Sequence, residues 1–378
     1  MKFLRTLPTR SLLLLAVAAA LLAVGGTTIA IAASGGPGRV PAGKPLPSAI
    51  HQGLAASEPA GITARIQLTN RLLPNGALLG QAGATSALIS GASGRLWARP
   101  DGRGRLELQS NAGDVQVVWK RGQATVYDAS SNTVYRIALP AGQHTGKASG
   151  APPSVAGIGA ALADLTKHVN VSSAQPSSVA GRPAYTVQLS PKEKGGLVGS
   201  VRLAWDSARG VPLRAAIYAR GATAPVLELK TTSISYGSVP LSTVDIAPPA
   251  GARVVDLGVP PQRGKTEAHQ KKKSSFKAVA PKSLAGLKRT AVRPVGRGAL
   301  VVYGEGLGAI TVLQHAGAEG PGAQLKMLPS VLINGVEVHE LSTPLVTVLT
   351  WDRGGVSYVL AGSVRPSVAE SAARGLLR

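Results

Sequence analysis

Residues 94–140 constrain the fold of this chain more than any other stretch, because they form a row of short apolar segments separated by tight turns. Apolar and polar residues alternate within these segments, as at 106–109, and such alternation is typical of a strand with one buried face. The interruptions at 120–123 and 128–132 hold the Gly, Asp, Ser and Asn residues that tight turns favour. Strands joined by loops this short must pair antiparallel. The sequence therefore predicts a meander with one apolar face, which the rest of the chain has to cover.

A second series of alternating segments follows in the middle of the chain. Its predicted strands are 183–190, 199–205, 211–218, 226–230 and 233–236. Between the two series, residues 155–168 have apolar positions at helical spacing and follow Ser154, a residue type that often caps helices. We therefore expect two groups of antiparallel strands with a helix between them.

Residues 298–378 predict a second, smaller domain. Asn334-Gly335 separates two β-like segments and is a strong hairpin signal, because both residue types tolerate the positive φ angles of the tightest turns. Apolar residues at helical spacing over 366–377 predict a closing helix. Strands followed by a helix indicate a small α+β unit.

The N-terminal segment indicates export. A basic N-terminus precedes an uncharged, mostly apolar run over 11–33. This run is longer than the roughly 7–15 residues of a usual signal-peptide core, and it reaches the about 20 residues that a membrane-spanning helix needs. Residues 1–33 are therefore either a signal peptide or a transmembrane anchor, and 34–47 is a Gly- and Pro-rich spacer. Both alternatives place the rest of the protein outside the cytoplasmic membrane, either tethered or secreted.

The chain is strongly basic, with a formal net charge of +23, which favours anionic surroundings. Because the protein is expected outside the cytoplasm, a membrane surface or an anionic cell-wall polymer is the expected partner and nucleic acid is not. The chain has no cysteine, so no disulfide can stabilise an exported domain.

Much of the positive charge lies in one stretch, 259–297, which contains eleven Lys and Arg residues and a single acid, Glu267. Like charges at this density repel one another and predict an extended linker. Two interpretations stay open. The linker is either a solubilising spacer or a contact with anionic lipid or cell-wall polymer, for which Lys271, Lys272 and Lys273 are the candidates.

No catalytic, metal or cofactor motif is complete. The six histidines are scattered without an acidic cluster, which argues against a metal site. Residues 304–309 nearly match a dinucleotide-binding fingerprint, but β-like residues follow where the mechanism needs a helix. Asp206 and Asp352 each follow a Trp directly, and a Gly lies a few residues after each of them. This pattern is better explained by Asx-type turns than by a paired carboxylate site. We therefore expect no enzyme, no metal and no cofactor.

Three groups of motifs carry a resemblance to a known family. They are Arg-Leu-Glu at 105–107 leading to Tyr-Asp at 127–128 and Asn-Thr-Val-Tyr at 132–135; Ala-Gly-Arg-Pro-Ala-Tyr at 180–185; and Leu-Ala-Trp-Asp at 203–206 followed by Gly-Val-Pro-Leu-Arg at 210–214. The stretch from about 44 to 256 resembles the LolA-like domain of bacterial lipoprotein and lipid carriers, which is also the N-terminal domain of RseB-type envelope-stress regulators. This resemblance implies a strongly curved antiparallel sheet, a half-barrel, covered by helices around an apolar cavity. Residues 298–378 resemble the small C-terminal domain of exported proteins associated with anti-sigma factors.

These observations predict an α+β protein with a LolA-like domain over 48–258, the basic linker over 259–297 and the small α+β domain over 298–378. The predicted function is non-catalytic binding of a lipid, an acyl chain or a lipoprotein. The alternative is an envelope-stress regulator that binds the extracytoplasmic part of an anti-sigma factor. The cavity-lining candidates are Leu106, Leu108, Val117, Trp119, Val187, Leu189, Leu203, Trp205 and Leu213. The sequence leaves open whether these residues line a cavity or form an ordinary core.

Overall fold

The computed structural model describes residues 40–73, 87, 91–120, 122–138, 152–167, 169–192, 195–257, 276–317 and 328–378. The predicted signal peptide or anchor over 1–33 lies outside these residues, as do Lys271, Lys272 and Lys273. Among the described residues no helix is both long and apolar enough to span a membrane.

A 13-stranded sheet forms the larger part of the fold. Its strands are β1 (Ile62–Asn70), β2 (Ala92–Ala98), β3 (Gly104–Ser110), β4 (Gly113–Lys120), β5 (Gln123–Asp128), β6 (Thr133–Ala138), β7 (Val169–Val171), β8 (Gln175–Val179), β9 (Arg182–Pro191), β10 (Val198–Asp206), β11 (Pro212–Ala219), β12 (Leu227–Tyr236) and β13 (Arg253–Leu257). They pair in the order β13-β6-β5-β4-β3-β2-β1-β12-β11-β10-β9-β7, and β8 pairs with β9. The sheet curls into a half-barrel, as predicted.

Strand β1 joins the two predicted series of strands. It pairs antiparallel with β2 on one side and with β12 on the other. The neighbours on each side are linked by short turns, such as the one in which Asn132 takes a φ of +44°. The meander read from the sequence is therefore one half of a continuous curled sheet.

One pairing departs from the predicted antiparallel sheet. Strand β13 runs parallel to β6, with Arg253 opposite Thr133 and Leu257 opposite Ile137. A short hairpin forces antiparallel pairing, but β13 returns to β6 only after the whole second half of the sheet, so its direction is not constrained by a turn. Residues 253–257 lie at the end of the predicted LolA-like domain, and the sequence pattern does not predict a strand there.

Two helices pack together on the sheet near its β9 end: α1 (Leu46–Ala55) and α2 (Val155–Leu165). The predicted cap of α2 is present, because the Ser154 hydroxyl accepts a hydrogen bond from Gly157 N at 3.1 Å. A short helix, α3 (Leu241–Val244), follows β12. The described part of the chain is mostly sheet with few helices, so helices form a smaller part of the predicted α+β fold than the strands do.

An 8-stranded sheet forms the C-terminal part. Its strands are β14 (Ser283–Leu284), β15 (Leu287–Val295), β16 (Gly298–Tyr303), β17 (Ile310–Ala316), β18 (Ser330–Ile333), β19 (Val336–Ser342), β20 (Thr347–Arg353) and β21 (Val356–Gly362). They pair in the order β14-β15-β16-β17-β21-β20-β19-β18. Helix α4 (Pro366–Leu376) buries Ala369, Ala372, Ala373 and Leu376 in the core of this sheet.

The C-terminal sheet begins inside the stretch that the sequence predicts as linker. Residues 283–284 and 287–295 of that stretch are β14 and β15, and β15 pairs antiparallel with β16. Two of the basic residues of β15, Lys288 and Arg289, are exposed. Strand β14 pairs with β15 only at Leu287 and Lys288, so most of β15 lies at an edge of the sheet. Charged residues are typical of such edges, where they discourage pairing with other chains, so a dense basic charge does not exclude a strand.

The two sheets contact each other directly. Gly196 forms an isolated β-bridge with Val364, and Leu197 N donates a hydrogen bond to the carbonyl oxygen of Ser363 at 3.1 Å. The connection before β10 is therefore bonded to the connection between β21 and α4.

Candidate functional site

The inner face of the large sheet carries two apolar rows in register, one across five strands and the other across four. Side chains directly opposite one another on paired strands point to the same face. The first row is Val187, Leu203, Ala215, Leu229 and Leu68, from β9 to β1. The second is Leu189, Val201, Ile217 and Leu227.

The middle of these rows is open to solvent. Leu203 is 40% exposed, and its neighbours on β10, β11 and β12 are half-buried. We call this surface the open apolar patch; its members are Val201, Leu203, Ala215, Ile217, Leu227 and Leu229. A contiguous group of exposed apolar side chains is typical of a surface that binds a ligand, a membrane or another protein.

One end of the patch is bounded by the two packed helices. Leu46 and Ala49 of α1 and Leu162 of α2 form a cluster with Tyr185 and Val187 of β9. Leu189 and Trp205 pack against the same cluster, and the rings of Tyr185 and Trp205 lie 6.0 Å apart between centroids. The helices therefore cover the β9 end of the rows and stop short of Leu203.

The other end is bounded by the core of the first meander. Ala64, Leu96, Leu106 and Val117 lie opposite one another in a row across β1 to β4. They belong to a cluster with Leu108 and Val115, against which Leu68, Trp119 and Leu229 pack. This cluster is buried, so the open apolar patch lies between two packed regions of one face.

The cavity-lining candidates fall into four environments. Leu106, Leu108, Val117 and Trp119 belong to the cluster of the first meander. Val187, Leu189 and Trp205 lie beneath the helices. Leu213 is buried in a separate small cluster with Val179, Ala184 and Ala204. Leu203 alone among these candidates is exposed, and it lies on β10, at the side of the patch that faces β9.

The cavity-lining candidates do not include the other five members of the patch, which are Val201, Ala215, Ile217, Leu227 and Leu229. The signal was present, because the alternation in 211–218 and 226–230 places Ile217 and Leu229 at inward positions. The alternation does not determine the strand register, and it is the register that brings these residues close to Leu203.

A buried polar network lies near the Trp205 end of this face, centred on Asp206. The Asp206 side chain is fully buried, and its Oδ1 accepts hydrogen bonds from the backbone N–H groups of Ala208 and Arg209. This is the Asx-type turn predicted from the sequence. Arg182 Nε lies 3.0 Å from Oδ2, so the buried charge is compensated.

The same carboxylate also holds Tyr236. The phenol donates a hydrogen bond to Asp206 Oδ2 at 2.8 Å. Burial is the main cause that raises the pKa of Tyr236, and the neighbouring negative charge of Asp206 raises it further. The network is fully bonded and anchors the ends of three strands, which is a structural role.

Metal chemistry has no support in the described part of the chain, where no group of three or more His, Asp or Glu side chains is placed to hold an ion. The predicted fingerprint region at 304–309 forms a single 3₁₀ turn, Gly306–Gly308, between β16 and β17. A helix N-terminus that could receive a pyrophosphate is therefore lacking at this turn.

No family model and no curated protein matches the sequence. Solved structures similar to the chain include the MucA/MucB complex of Pseudomonas aeruginosa. MucB aligns with a TM-score of 0.45 and 17% identity, over 87% of this chain and 94% of its own. A lipoprotein-sorting protein domain from Vibrio parahaemolyticus aligns with a TM-score of 0.24 and 12% identity, over 53% of this chain and 96% of its own.

A LolA superfamily protein from Nitrosomonas europaea aligns with a TM-score of 0.19 and 8% identity, over 85% of this chain and 94% of its own. The resemblance to LolA-like and RseB-type domains that the sequence predicted is thus found among solved structures as well.

Proposed function

We propose that this protein is a non-catalytic binding protein that holds one apolar chain, such as the acyl chain of a lipid or lipoprotein, on the open apolar patch. The observation that carries this proposal is the exposure of Leu203 on β10, beside half-buried apolar residues of β11 and β12 and between two packed regions of the same face. A soluble domain gains stability by covering such a surface, and the curled sheet gives the patch a concave shape.

The dimensions of the patch suit an extended hydrocarbon chain. The first row crosses five strands, and strands lie about 4.8 Å apart, so it spans roughly 19 Å. Both rows are apolar along this length, apart from Asn70 opposite Leu227 at one end. A long acyl chain lying across the strands would contact Leu203, Ala215 and Leu229 in turn.

The energetic gain is sufficient for specific binding. Each methylene removed from water contributes about 0.8 kcal/mol, so an acyl chain that buries half of its carbons would gain several kcal/mol before its loss of freedom is subtracted. No charge transfer or bond cleavage is required of the residues on this face.

The test is the uptake of a fluorescent fatty acid by the full-length protein and by Leu203→Asp. Because Leu203 is already 40% exposed, the substitution should leave the melting temperature nearly unchanged, while a carboxylate at the most exposed position of the patch weakens uptake at least tenfold. Leu332→Asp is the matched control, since Leu332 is 78% exposed on the other sheet. Equal uptake by Leu203→Asp and the unmodified protein would refute the proposal.

A second candidate function, binding the extracytoplasmic part of an anti-sigma factor, is favoured by the edge strand β18. Val331 and Leu332 are exposed there, at 39% and 78%, and β18 ends the order of the C-terminal sheet. An exposed apolar edge is a template to which a partner adds a strand. Co-purification of a membrane anti-sigma factor that Leu332→Asp abolishes and Leu203→Asp preserves would support this function.

A further inference from the structure

The outer, polar face of the large sheet carries a depression of about 390 Å³ on the strands β12, β1 and β2. The side chains that line it alternate along each strand with the apolar side chains of the inner face. They therefore point to the opposite face from the open apolar patch. The volume lies in the usual range of roughly 300–1,000 Å³ for small-molecule sites. The side chains at issue are Thr63, Arg65, Arg95, Trp97, Ser233 and Ser235.

Strand register arranges these side chains in two rows. Thr63 lies opposite Ser235 and Trp97, and Arg65 lies opposite Ser233 and Arg95. A β-bulge next to Arg65 interrupts the pairing of β1 with β12, and bulges commonly redirect side chains beside binding sites. The register thus places Arg65 and Arg95 directly opposite each other, with the hydroxyl residues Thr63, Ser233 and Ser235 at neighbouring positions of β1 and β12.

The pairing of Arg65 with Arg95 is unfavourable by itself. Like charges directly opposite each other across a sheet are destabilising. Both side chains are exposed, and within the described residues neither has a hydrogen bond or an ion pair. An anion held between them would remove this repulsion.

Other arginines on the same face are bound by neighbouring side chains. Arg214 forms an ion pair with Glu228, and Arg202 donates a hydrogen bond to Gln188 at 2.8 Å. Glu107, which lies opposite Arg95 across β2 and β3, forms its ion pair with Arg105 instead. Arg202 and Arg214 therefore have polar partners on this face, whereas the Arg65–Arg95 pair remains available.

We propose that this depression binds the phosphate group of a ligand, with Arg65 and Arg95 as its two charged contacts. A guanidinium presents parallel N–H groups that match the oxygens of a phosphate. A carboxylate is satisfied by one such fork, whereas a tetrahedral phosphate has oxygens enough for two forks and for hydroxyl donors. Thr63 and Ser233 are placed to supply those donors.

Trp97 gives the site an apolar wall. Its ring is half-buried and is fixed by the Arg105 guanidinium, which lies 5.4 Å from the ring centroid. An organic group attached to the phosphate would pack on the open part of this ring, which favours a phosphate ester. This site is on the opposite face from the open apolar patch, so it stands or falls independently of the proposed function.

The experiment is a fluorescence titration of the full-length protein with inorganic phosphate, glycerol phosphate and a short-chain phosphatidic acid below its critical micelle concentration. Binding should change the emission of Trp97, and Trp97→Phe should remove that change. The double variant Arg65→Gln/Arg95→Gln should bind at least tenfold more weakly, with a melting temperature that is unchanged or slightly raised, because both side chains are exposed and their mutual repulsion is removed. Equal binding of all three probes would identify a soluble phosphate as the ligand, and preference for phosphatidic acid would identify a lipid headgroup.

The control is Arg297→Gln/Arg353→Gln, which removes the same charge from exposed positions of the C-terminal sheet. If the phosphate probes bind through the overall charge of the protein, the two double variants will lose affinity equally, and the proposal is wrong. It is equally wrong if none of the probes binds the unmodified protein at millimolar concentration. A loss confined to Arg65→Gln/Arg95→Gln supports it.

Discussion

The phenol of Tyr236 donates a hydrogen bond to the buried carboxylate of Asp206, with 2.8 Å between Oη and Oδ2. The guanidinium groups of Arg182 and Arg209 lie 5.1 and 4.7 Å from the centroid of the tyrosine ring. Residues from the start of β9, the end of β10 and the end of β12 therefore meet at one carboxylate. This network closes the end of the sheet beside the helices.

We expect Tyr236→Phe to destabilise the protein by about 1–3 kcal/mol, because the substitution removes a hydrogen bond from a buried, charged acceptor. Urea denaturation monitored by circular dichroism measures the change. Tyr127→Phe is the matched control, since the Tyr127 phenol bonds Asn132 Oδ1 at an exposed site; its cost should stay below about 0.5 kcal/mol. Equal costs for the two variants would show that the Asp206 network adds no stability.

The same tyrosine predicts a loss of stability at alkaline pH. Burial and the charge of Asp206 raise the pKa of Tyr236 in the folded protein, so the unfolded chain releases this proton first, near its ordinary pKa of about 10. The stabilisation is complete below that pH and falls as pH rises above it, by up to about 1.4 kcal/mol per pH unit.

Unfolding free energies at pH 8 and pH 11 should therefore differ more for the unmodified protein than for Tyr236→Phe. Burial also raises the pKa values of Tyr185, Tyr303 and Tyr358, so the comparison with the variant, and not the absolute change, isolates Tyr236. Identical pH dependence in both proteins would contradict this prediction.

A close contact between two glycines sets the position of helix α1. Gly210, in the turn between β10 and β11, has a φ of +65°, and a Cβ added there would overlap the carbonyl oxygen of Gly53 in α1. We expect Gly210→Ala to destabilise the protein by more than about 2 kcal/mol, through backbone strain and displacement of the helix.

Gly221→Ala separates these two causes. Gly221 has a φ of +77°, but a Cβ there would meet no atom within 4 Å, so only the backbone strain of about 1 kcal/mol should appear. Thermal unfolding of both variants measures the difference. Similar melting temperatures for the two would mean that α1 moves aside without cost.

The strands were predictable because their signals are local. Asn334 and Gly335 have φ values of +51° and +77° in the hairpin between β18 and β19, as their residue types predict. The alternation that identified β3 and β4 follows directly from one buried face. The charge of residues 287–295 predicts an extended linker, but a strand that has little pairing on one side tolerates the same composition.

The candidate site was harder to predict because it depends on contacts distant in sequence. Leu203 and Trp205 have the same pattern and the same predicted orientation, yet α1 and α2 cover Trp205 and leave Leu203 exposed. The Arg65–Arg95 pair is equally invisible in the sequence, because only the register of β1 and β2 brings these residues together. Local alternation predicts which face of the sheet a side chain lies on, but not which other elements of the fold pack against that face.

The final prediction concerns the segment that precedes the C-terminal sheet. The Gln314 side chain is fully buried, accepts a hydrogen bond from Val279 N at 2.8 Å and donates one to the Val279 carbonyl oxygen at 2.6 Å. A glutamine side chain here replaces the backbone partner of a strand and holds the segment to β17. We expect Gln314→Leu to leave both backbone groups of Val279 unpaired, at a cost of about 1–3 kcal/mol.

Limited digestion with trypsin reports on this attachment, because Lys277 is exposed two residues before Val279. In Gln314→Leu, cleavage after Lys277 should become several-fold faster, since a protease needs a locally detached chain. Gln67→Leu, the same substitution at an exposed position of β1, should leave the rate of this cleavage unchanged. If Gln314→Leu is cleaved after Lys277 at the rate of the unmodified protein, the segment is held by packing of Ala278 and Ala280 against the core and not by Gln314.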